Sequence, residues 1–194
     1  YRQALDSARQ TAFTRGLTHE DWAQANKVLV AGLANPLFSR LSKTEQAAVY
    51  SGAGWAAMRL EQDARARKML AQAVKLNPDD SDSWRILAKT HAYLDDYDAA
   101  AKTLITYAQR WPSRLDSEKD FIIEMIDAVE ADSAVRQQLL QALYNAKWNP
   151  EPVGATGLWK ELALDKIRLG QHESARSIIT HITAPADLVA VRSD

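Results

Sequence analysis

Apolar residues recur along most of this chain at spacings of three and four positions, and strict alternation with polar residues is rare. This spacing places apolar side chains on one face of an α-helix. Seven glycines and six prolines separate the periodic stretches. The pattern predicts an all-α protein without a β-sheet, with ten helices at about 3–16, 19–34, 43–59, 63–76, 82–94, 97–110, 116–131, 133–146, 157–169 and 172–183.

Capping residues and prolines predict where several of these helices begin and end. A side-chain oxygen just before a helix can accept hydrogen bonds from the first backbone N–H groups, which lack partners within the helix. The predicted starts of this kind are Thr18 with Asp21, Ser81 with Asp82, and Asp132 with Ser133. A proline follows five of the helical stretches closely, and it lacks the N–H group needed to continue them. These prolines are Pro36, Pro78, Pro112, Pro150 and Pro185.

The chain is similar to itself at two fixed shifts, which predicts a repeat architecture. A shift of 34 positions relates Tyr50 to Trp84, Leu60 to Leu94, Ala66 to Ala100, Leu70 to Leu104 and Pro78 to Pro112. A shift of 75 relates Trp84 to Trp159, Leu87 to Leu162, Ala88 to Ala163, Ala100 to Ala175 and Leu104 to Ile179. A shift of 75 equals one unit of 34 residues and one of 41. The unit that lies between the two related ones therefore carries seven extra residues.

A 34-residue unit with an aromatic residue, a small pair, a small residue in the second helix and a closing proline resembles the tetratricopeptide repeat. The matching residues are Tyr50, Ala53, Gly54, Ala66, Leu70, Ala73 and Pro78 in one unit, and Trp84, Leu87, Ala88, Ala100, Leu104 and Pro112 in the next. The resemblance implies an α-α superhelix, a solenoid of about five antiparallel helix pairs. It divides a single domain, 1–194, into a degenerate pair 1–42, clear repeats 43–112, a divergent pair 113–155, a repeat 156–183 and a tail 184–194.

The same resemblance implies a ligand groove lined by fixed positions of each first helix. In this chain those positions hold Ala48, Ser51, Trp55, Met58 and Arg59; Asp82, Arg85, Lys89, Ala92 and Tyr93; and Lys160, Leu164, Ile167 and Arg168. Five of these residues are cations and one is an anion, in a chain whose net charge is −1. The predicted ligand-binding residues are Ser51, Trp55, Arg59, Arg85, Lys89, Tyr93, Lys160 and Arg168.

Composition excludes several classes of function. The 24 Lys and Arg residues are balanced by 25 Asp and Glu residues, so the chain has no overall attraction for nucleic acid. The longest apolar stretch, 28–34, is far shorter than the roughly 20 residues of a membrane-spanning helix, so the chain is predicted not to be membrane-embedded. The absence of cysteine excludes disulfides and thiolate chemistry.

No constellation of catalytic or metal-binding residues stands out. The four histidines are not spaced as ligand clusters, and His91 falls on a core position of the repeat. The acidic run Asp79, Asp80 and Asp82 lacks the glycine and the bidentate glutamate of a calcium-binding loop. The sequence therefore predicts neither an enzyme, nor a metal site, nor a cofactor.

The function predicted is a protein-interaction scaffold that holds a peptide segment or a helix of an acidic partner. The alternative is a periplasmic domain of an export or envelope assembly that handles an anionic or polysaccharide polymer. The first residue is Tyr1 rather than methionine, which favours an exported protein over a cytoplasmic one. A fragment or processed form is predicted, because a repeat array needs a polar terminal helix to cover its last apolar face. Two alternatives are open: Leu188 and Val191 pack back onto the last helix pair as a partial cap, or the parent chain continues, in which case the last pair leaves an apolar patch bare or covered by another subunit.

Overall fold

A computed structural model describes residues 1–13, 18–130, 133–148 and 155–183. The chain divides into two compact units, Tyr1–Tyr107 and Ala108–Asp194. Each unit is an assembly of antiparallel helices, and none of the described residues lies in a β-strand. The predicted all-α fold class, with helices that pack in pairs, is confirmed. The repeat boundaries within one domain and the superhelical path of the whole chain stay predictions.

In the first unit, each helix from α1 to α4 packs against the next, and α3 also contacts α1 and α5. Its helices are α1 (Arg2–Phe13), α2 (His19–Leu33), α3 (Lys43–Arg59), α4 (Asp63–Leu76), α5 (Ser81–Tyr93) and α6 (Tyr97–Arg110), the last of which ends just beyond the unit. In the second unit, α7 packs on α8, α8 on α9 and α9 on α10. The bounds of these helices are α7 (Lys119–Ala128), α8 (Ala134–Asn145), α9 (Ala155–Arg168) and α10 (His172–Thr183).

Most helix boundaries lie within one or two residues of their predicted positions, and the largest difference is at the helix predicted at 116–131. The helix expected at 116–131 is a 3₁₀-helix, Pro112–Glu118, followed by α7, which begins only at Lys119. A second 3₁₀-helix, Pro36–Arg40, was not predicted. Each begins at a proline, whose fixed φ angle suits the first turn of a helix. Predicted features at 14–16, at 131–132 and beyond 183 lie outside the described residues.

Capping hydrogen bonds fix several helix starts. Thr18 accepts a hydrogen bond from the Asp21 backbone N–H, and the Asp21 carboxylate accepts one from the Thr18 N–H, as predicted. The Thr18 N–H and the Thr18 hydroxyl both donate to the Asp21 carboxylate, and these two bonds hold the pKa of Asp21 below its usual value. Ser133 caps α8, also as predicted, whereas α5 is capped by Asp80, one residue before the expected Ser81.

A left-handed backbone residue ends three first helices at the same register as the sequence repeat. Glu61, Asp95 and Gly170 have φ angles of 57°, 57° and 71°, and their positions are separated by 34 and 75 residues. In each turn the next residue's N–H donates back to a carbonyl of the helix, as Gln62 does to Ala57. This is the Schellman pattern of a helix C-terminus. The turn geometry therefore repeats with the two sequence shifts.

We expect Glu61→Gly to stabilise the first unit by about 1 kcal/mol, because glycine adopts positive φ without the clash of a Cβ atom. The converse change, Gly170→Ala, should destabilise the second unit by about the same amount. Thermal unfolding followed by circular dichroism measures both effects. If the two midpoints shift in the same direction, these turns do not have the left-handed geometry described.

Small residues allow the helices of the first unit to approach one another closely. Gly54, Ala66 and Ala88 are all buried, the last two completely. A Cβ atom built on Gly54 would lie 2.6 Å from Leu70 Cγ and 3.3 Å from the carbonyl oxygen of Ala66. Gly54 therefore lets α3 and α4 make a contact that no larger residue fits.

Candidate functional site

The first helices of two successive pairs, α3 and α5, lie side by side, and two side-chain contacts join them. Between the middle of α3 and the first turn of α5, Ser83 Oγ lies 2.8 Å from Ser51 Oγ and donates a hydrogen bond to Asp80 Oδ2 at 2.6 Å. Ser51 and Ser83 are both buried. Ser51, predicted to bind a ligand, therefore joins two helices and is not presented to solvent.

Trp55 and Arg85 form the second contact between α3 and α5. The guanidinium carbon of Arg85 lies 5.6 Å from the centroid of the Trp55 ring, within the range of a cation–π interaction. Trp55 is half-buried. It packs against two hydrophobic clusters of the first unit, one that includes Leu29 and one that includes Leu70. Arg85 is also held by Asp82, with Nη2 3.4 Å from Oδ1. The Trp55 ring thus connects α3 to α5, and the Arg85 guanidinium lies over one of its faces.

Lys89 and Tyr93 extend the surface along α5. They follow Arg85 at four-residue intervals, which places the three side chains on one stripe of the helix. Lys89 is half-buried, whereas Tyr93 is 62% exposed. We call Trp55, Arg85, Lys89 and Tyr93 the α3–α5 surface. It combines two cations and two aromatic rings, a composition that suits carboxylates beside apolar side chains.

Arg59 lies on the side of α3 that faces α2. Its guanidinium carbon is 5.5 Å from the ring centroid of Trp22, a buried residue of α2. Arg59 itself is exposed. The structure places it in a separate cation–π pair, away from the contact between Trp55 and Arg85.

The two remaining predicted residues, Lys160 and Arg168, lie on α9 in the second unit. Both are exposed, and Arg168 Nη1 lies 3.3 Å from Asp165 Oδ1. Between them on the same stripe lie Leu164 and Ile167, which are 54% and 43% exposed. The α9 stripe is therefore an exposed apolar strip with a cation at each end.

His91 has the structural surroundings expected of a core position. Its side chain is only 15% exposed, and Nδ1 lies 3.7 Å from Asp96 Oδ2. Burial lowers the pKa of His91 below its usual value, while the Asp96 carboxylate acts in the opposite direction. The described part of the chain contains no group of His, Asp and Glu that could hold a metal ion, and none of its helices is long and apolar enough to cross a membrane.

The sequence reasoning missed an ion pair in the second unit between a buried arginine and a partly exposed glutamate. Arg136 on α8 donates from Nε and Nη2 to the two carboxylate oxygens of Glu161 on α9, at 2.9 and 3.0 Å. Its Nη1 donates to the carbonyl oxygens of Ile126 and Val129, at the C-terminal end of α7. This hydrogen bonding, above all with Glu161, raises the pKa of Arg136. The sequence predicts that Arg136 lies in a helix, but it gives no sign that this arginine is buried or which groups it contacts.

Comparison with known proteins adds little to this description. No protein-family profile matches the chain, and no curated protein matches it. Two solved structures titled "MamA AMB-1 C2221" and "MamA AMB-1 P212121" are similar to it at 16% sequence identity. They cover 93% and 97% of this chain and 95% and 96% of their own, with TM-scores of 0.43 and 0.45. At these values the similarity assigns neither a family nor a ligand.

Proposed function

We propose that this protein is an interaction scaffold that binds an acidic segment of a partner protein on the α3–α5 surface. The observation that carries the proposal is the stripe Arg85, Lys89 and Tyr93 on α5, set against Trp55 on α3. A segment with alternating acidic and apolar residues would pair its carboxylates with the two cations. Its apolar side chains would pack on Tyr93 and on the exposed part of Trp55.

The exposure of aromatic side chains favours a peptide over a polysaccharide. A polymer-binding surface needs several exposed aromatic rings in a row. Among the described residues, only Tyr1 and Tyr93 are exposed large aromatics, at 38% and 62%. Trp55 is half-buried beneath Arg85, and Trp84 donates its indole N–H to the Pro78 carbonyl oxygen at 2.9 Å. The polymer-handling alternative therefore has less support.

We expect Arg85→Ala and Lys89→Ala each to weaken binding of an acidic peptide by about 0.5–3 kcal/mol, because each removes a charge-assisted contact. The probe is a labelled peptide of alternating glutamate and leucine, and fluorescence anisotropy gives its affinity. Because dissolved ions screen such contacts, raised salt should also weaken binding of the peptide to the unaltered protein. Lys89→Ala should change thermal stability little, because a partly exposed cation contributes little to folding. Arg85→Ala also loses the contact with Trp55 and should cost about 0.5–2 kcal/mol of stability.

Tyr93→Ala is the aromatic counterpart of these changes. The side chain is mostly exposed, so its loss should weaken binding with little effect on folding. Trp55 is less suitable, because its removal would also disturb both hydrophobic clusters. Affinity that is indifferent to the two cation replacements, to Tyr93→Ala and to raised salt would contradict the proposal.

A further inference from the structure

A groove in the first unit lies outside the α3–α5 surface. It is a groove of about 460 Å³ between α2 and the turn that joins α3 to α4. Its apolar wall consists of Ala23, Val30, Ala31 and Ala34 on α2 and Leu60 after α3. We call it the α2 groove. It is large enough to hold several side chains of a ligand.

The shape of the α2 groove suits a helix. Its lining residues on α2 run from His19 to Ala34, a stripe about four turns or 22 Å long. Three of them, Ala23, Ala31 and Ala34, are exposed alanines. Short side chains in a row let the axis of a second helix approach to about 8 Å, closer than larger side chains would allow.

Asn26 gives the groove a polar group that lacks a partner. The residue is 7% exposed and lines the groove, and its Oδ1 atom is shielded from solvent without a hydrogen bond to any described residue. Buried polar atoms are nearly always hydrogen-bonded, so an unsatisfied one needs an explanation. Because Asn26 lines the groove, a ligand held there would contact this side chain, and a hydroxyl or amide of that ligand would be within reach of its amide group.

The rim of the α2 groove is basic. It carries His19, Lys27 and Arg65, and no carboxylate is among the described lining residues. Lys27 makes no ion pair with any described residue, and Arg65 Nη1 donates only to Gln62 Oε1, at 3.3 Å. In a chain of net charge −1, this concentration of positive charge is local. It is complementary to an acidic ligand.

We propose that the α2 groove binds an acidic amphipathic α-helix of a partner protein. Small apolar side chains of that helix would lie on Ala23, Val30 and Ala31, and carboxylates on its flanks would pair with Lys27 and Arg65. A hydroxyl or amide donor would face Asn26. This site shares no residue with the α3–α5 surface, so the two proposals can be tested independently of each other.

The test uses the full chain and a designed peptide of about 16 residues, the length of the α2 stripe. Alanine and leucine occupy one face of the peptide, a serine lies at its centre, and glutamates flank that face. The matched peptide carries lysine at every glutamate position. Fluorescence anisotropy should show the lysine peptide binding at least about tenfold more weakly. Lys27→Glu/Arg65→Glu should weaken the glutamate peptide by a similar factor, and Lys75→Glu/Lys102→Glu, at exposed sites elsewhere, should not.

Asn26→Leu separates a ligand site from a structural one. It removes an unsatisfied polar atom, so we expect the melting temperature to hold or rise while peptide affinity falls at least about threefold. Lys27→Glu/Arg65→Glu reports on the α2 groove alone, because neither residue belongs to the α3–α5 surface. Circular dichroism confirms that each variant is folded.

Three results would overturn the proposal. The first is equal affinity for the two peptides, and the second is no response to Lys27→Glu/Arg65→Glu. The third is binding of phosphatidylglycerol vesicles that depends on Lys27 and Arg65 while the glutamate peptide does not bind. That result would assign the groove to an anionic membrane surface instead.

Discussion

Replacement of Arg136 by alanine is expected to destabilise the second unit by about 2–4 kcal/mol, because it removes a buried guanidinium that makes charge-assisted hydrogen bonds to a partly exposed carboxylate and to two backbone carbonyl groups. The guanidinium donates two hydrogen bonds to the Glu161 carboxylate of α9. It also donates to two backbone carbonyl groups at the end of α7. Its loss leaves a carboxylate and two helix-end carbonyls without these donors. Urea unfolding followed by circular dichroism measures the change.

Arg176→Ala is the matched control for this prediction. Arg176 lies in the same unit and pairs with Glu173, but both side chains are more than three-quarters exposed, so the loss should be below about 1 kcal/mol. The double variant Arg136→Met/Glu161→Met, which removes both charges together, should recover part of the stability. Equal losses for Arg136→Ala and Arg176→Ala would show that the pair of Arg136 and Glu161 does not hold α7, α8 and α9 together.

Gly54→Leu is expected to destabilise the first unit by about 1–3 kcal/mol or more, because it overpacks a closed helix interface. The first added carbon alone would lie 2.6 Å from Leu70 Cγ. Ala71→Leu on α4 adds comparable bulk at an exposed position and should be nearly neutral. Thermal unfolding of the two variants measures both changes in stability. Equal tolerance of the two changes would mean that the repeat register, which places Gly54 at the interface, is wrong.

The helices and the repeat register could be predicted because both depend on local chemistry. A proline, a cap such as Thr18 with Asp21, or a run of apolar residues acts within one or two turns of a helix. The two shifts of the sequence reappear in the backbone as the left-handed residues Glu61, Asp95 and Gly170. The same small-residue packing recurs at Gly54 and Ala88.

The second unit was harder to predict, because its middle part lacks the repeat. Without the repeat, the 3₁₀-helix that begins at Pro112 could not be told from an early turn of α7. Arg136 and Glu161 are 25 residues apart on different helices, so their pairing depends on how those helices pack. Helical periodicity identifies which positions are buried, but it does not identify which charged side chains meet.

In the candidate site, too, the helix positions of the residues could be predicted, but their contacts with other helices could not. The resemblance to a repeat family placed Trp55, Arg85, Lys89 and Tyr93 on first helices, and the structure brings Arg85 onto Trp55. It could not predict that Ser51 would be buried against Ser83, or that Arg59 would turn toward Trp22. Each of these contacts is decided by the neighbouring helix. The α2 groove has no counterpart in the sequence pattern, since its walls come from α2 and from the turn after α3.

Selection from a displayed library of random peptides tests the central claim, that the α3–α5 surface binds an acidic segment. The library is selected in parallel on the unaltered protein and on Arg85→Glu/Lys89→Glu, with Lys75→Glu/Lys102→Glu as the control for charge reversal elsewhere. We predict that the unaltered protein and the control enrich the same acidic peptides with apolar residues between the carboxylates, and that Arg85→Glu/Lys89→Glu does not. Enrichment of the same peptides on all three proteins, or of no acidic peptides on the unaltered one, would contradict the claim.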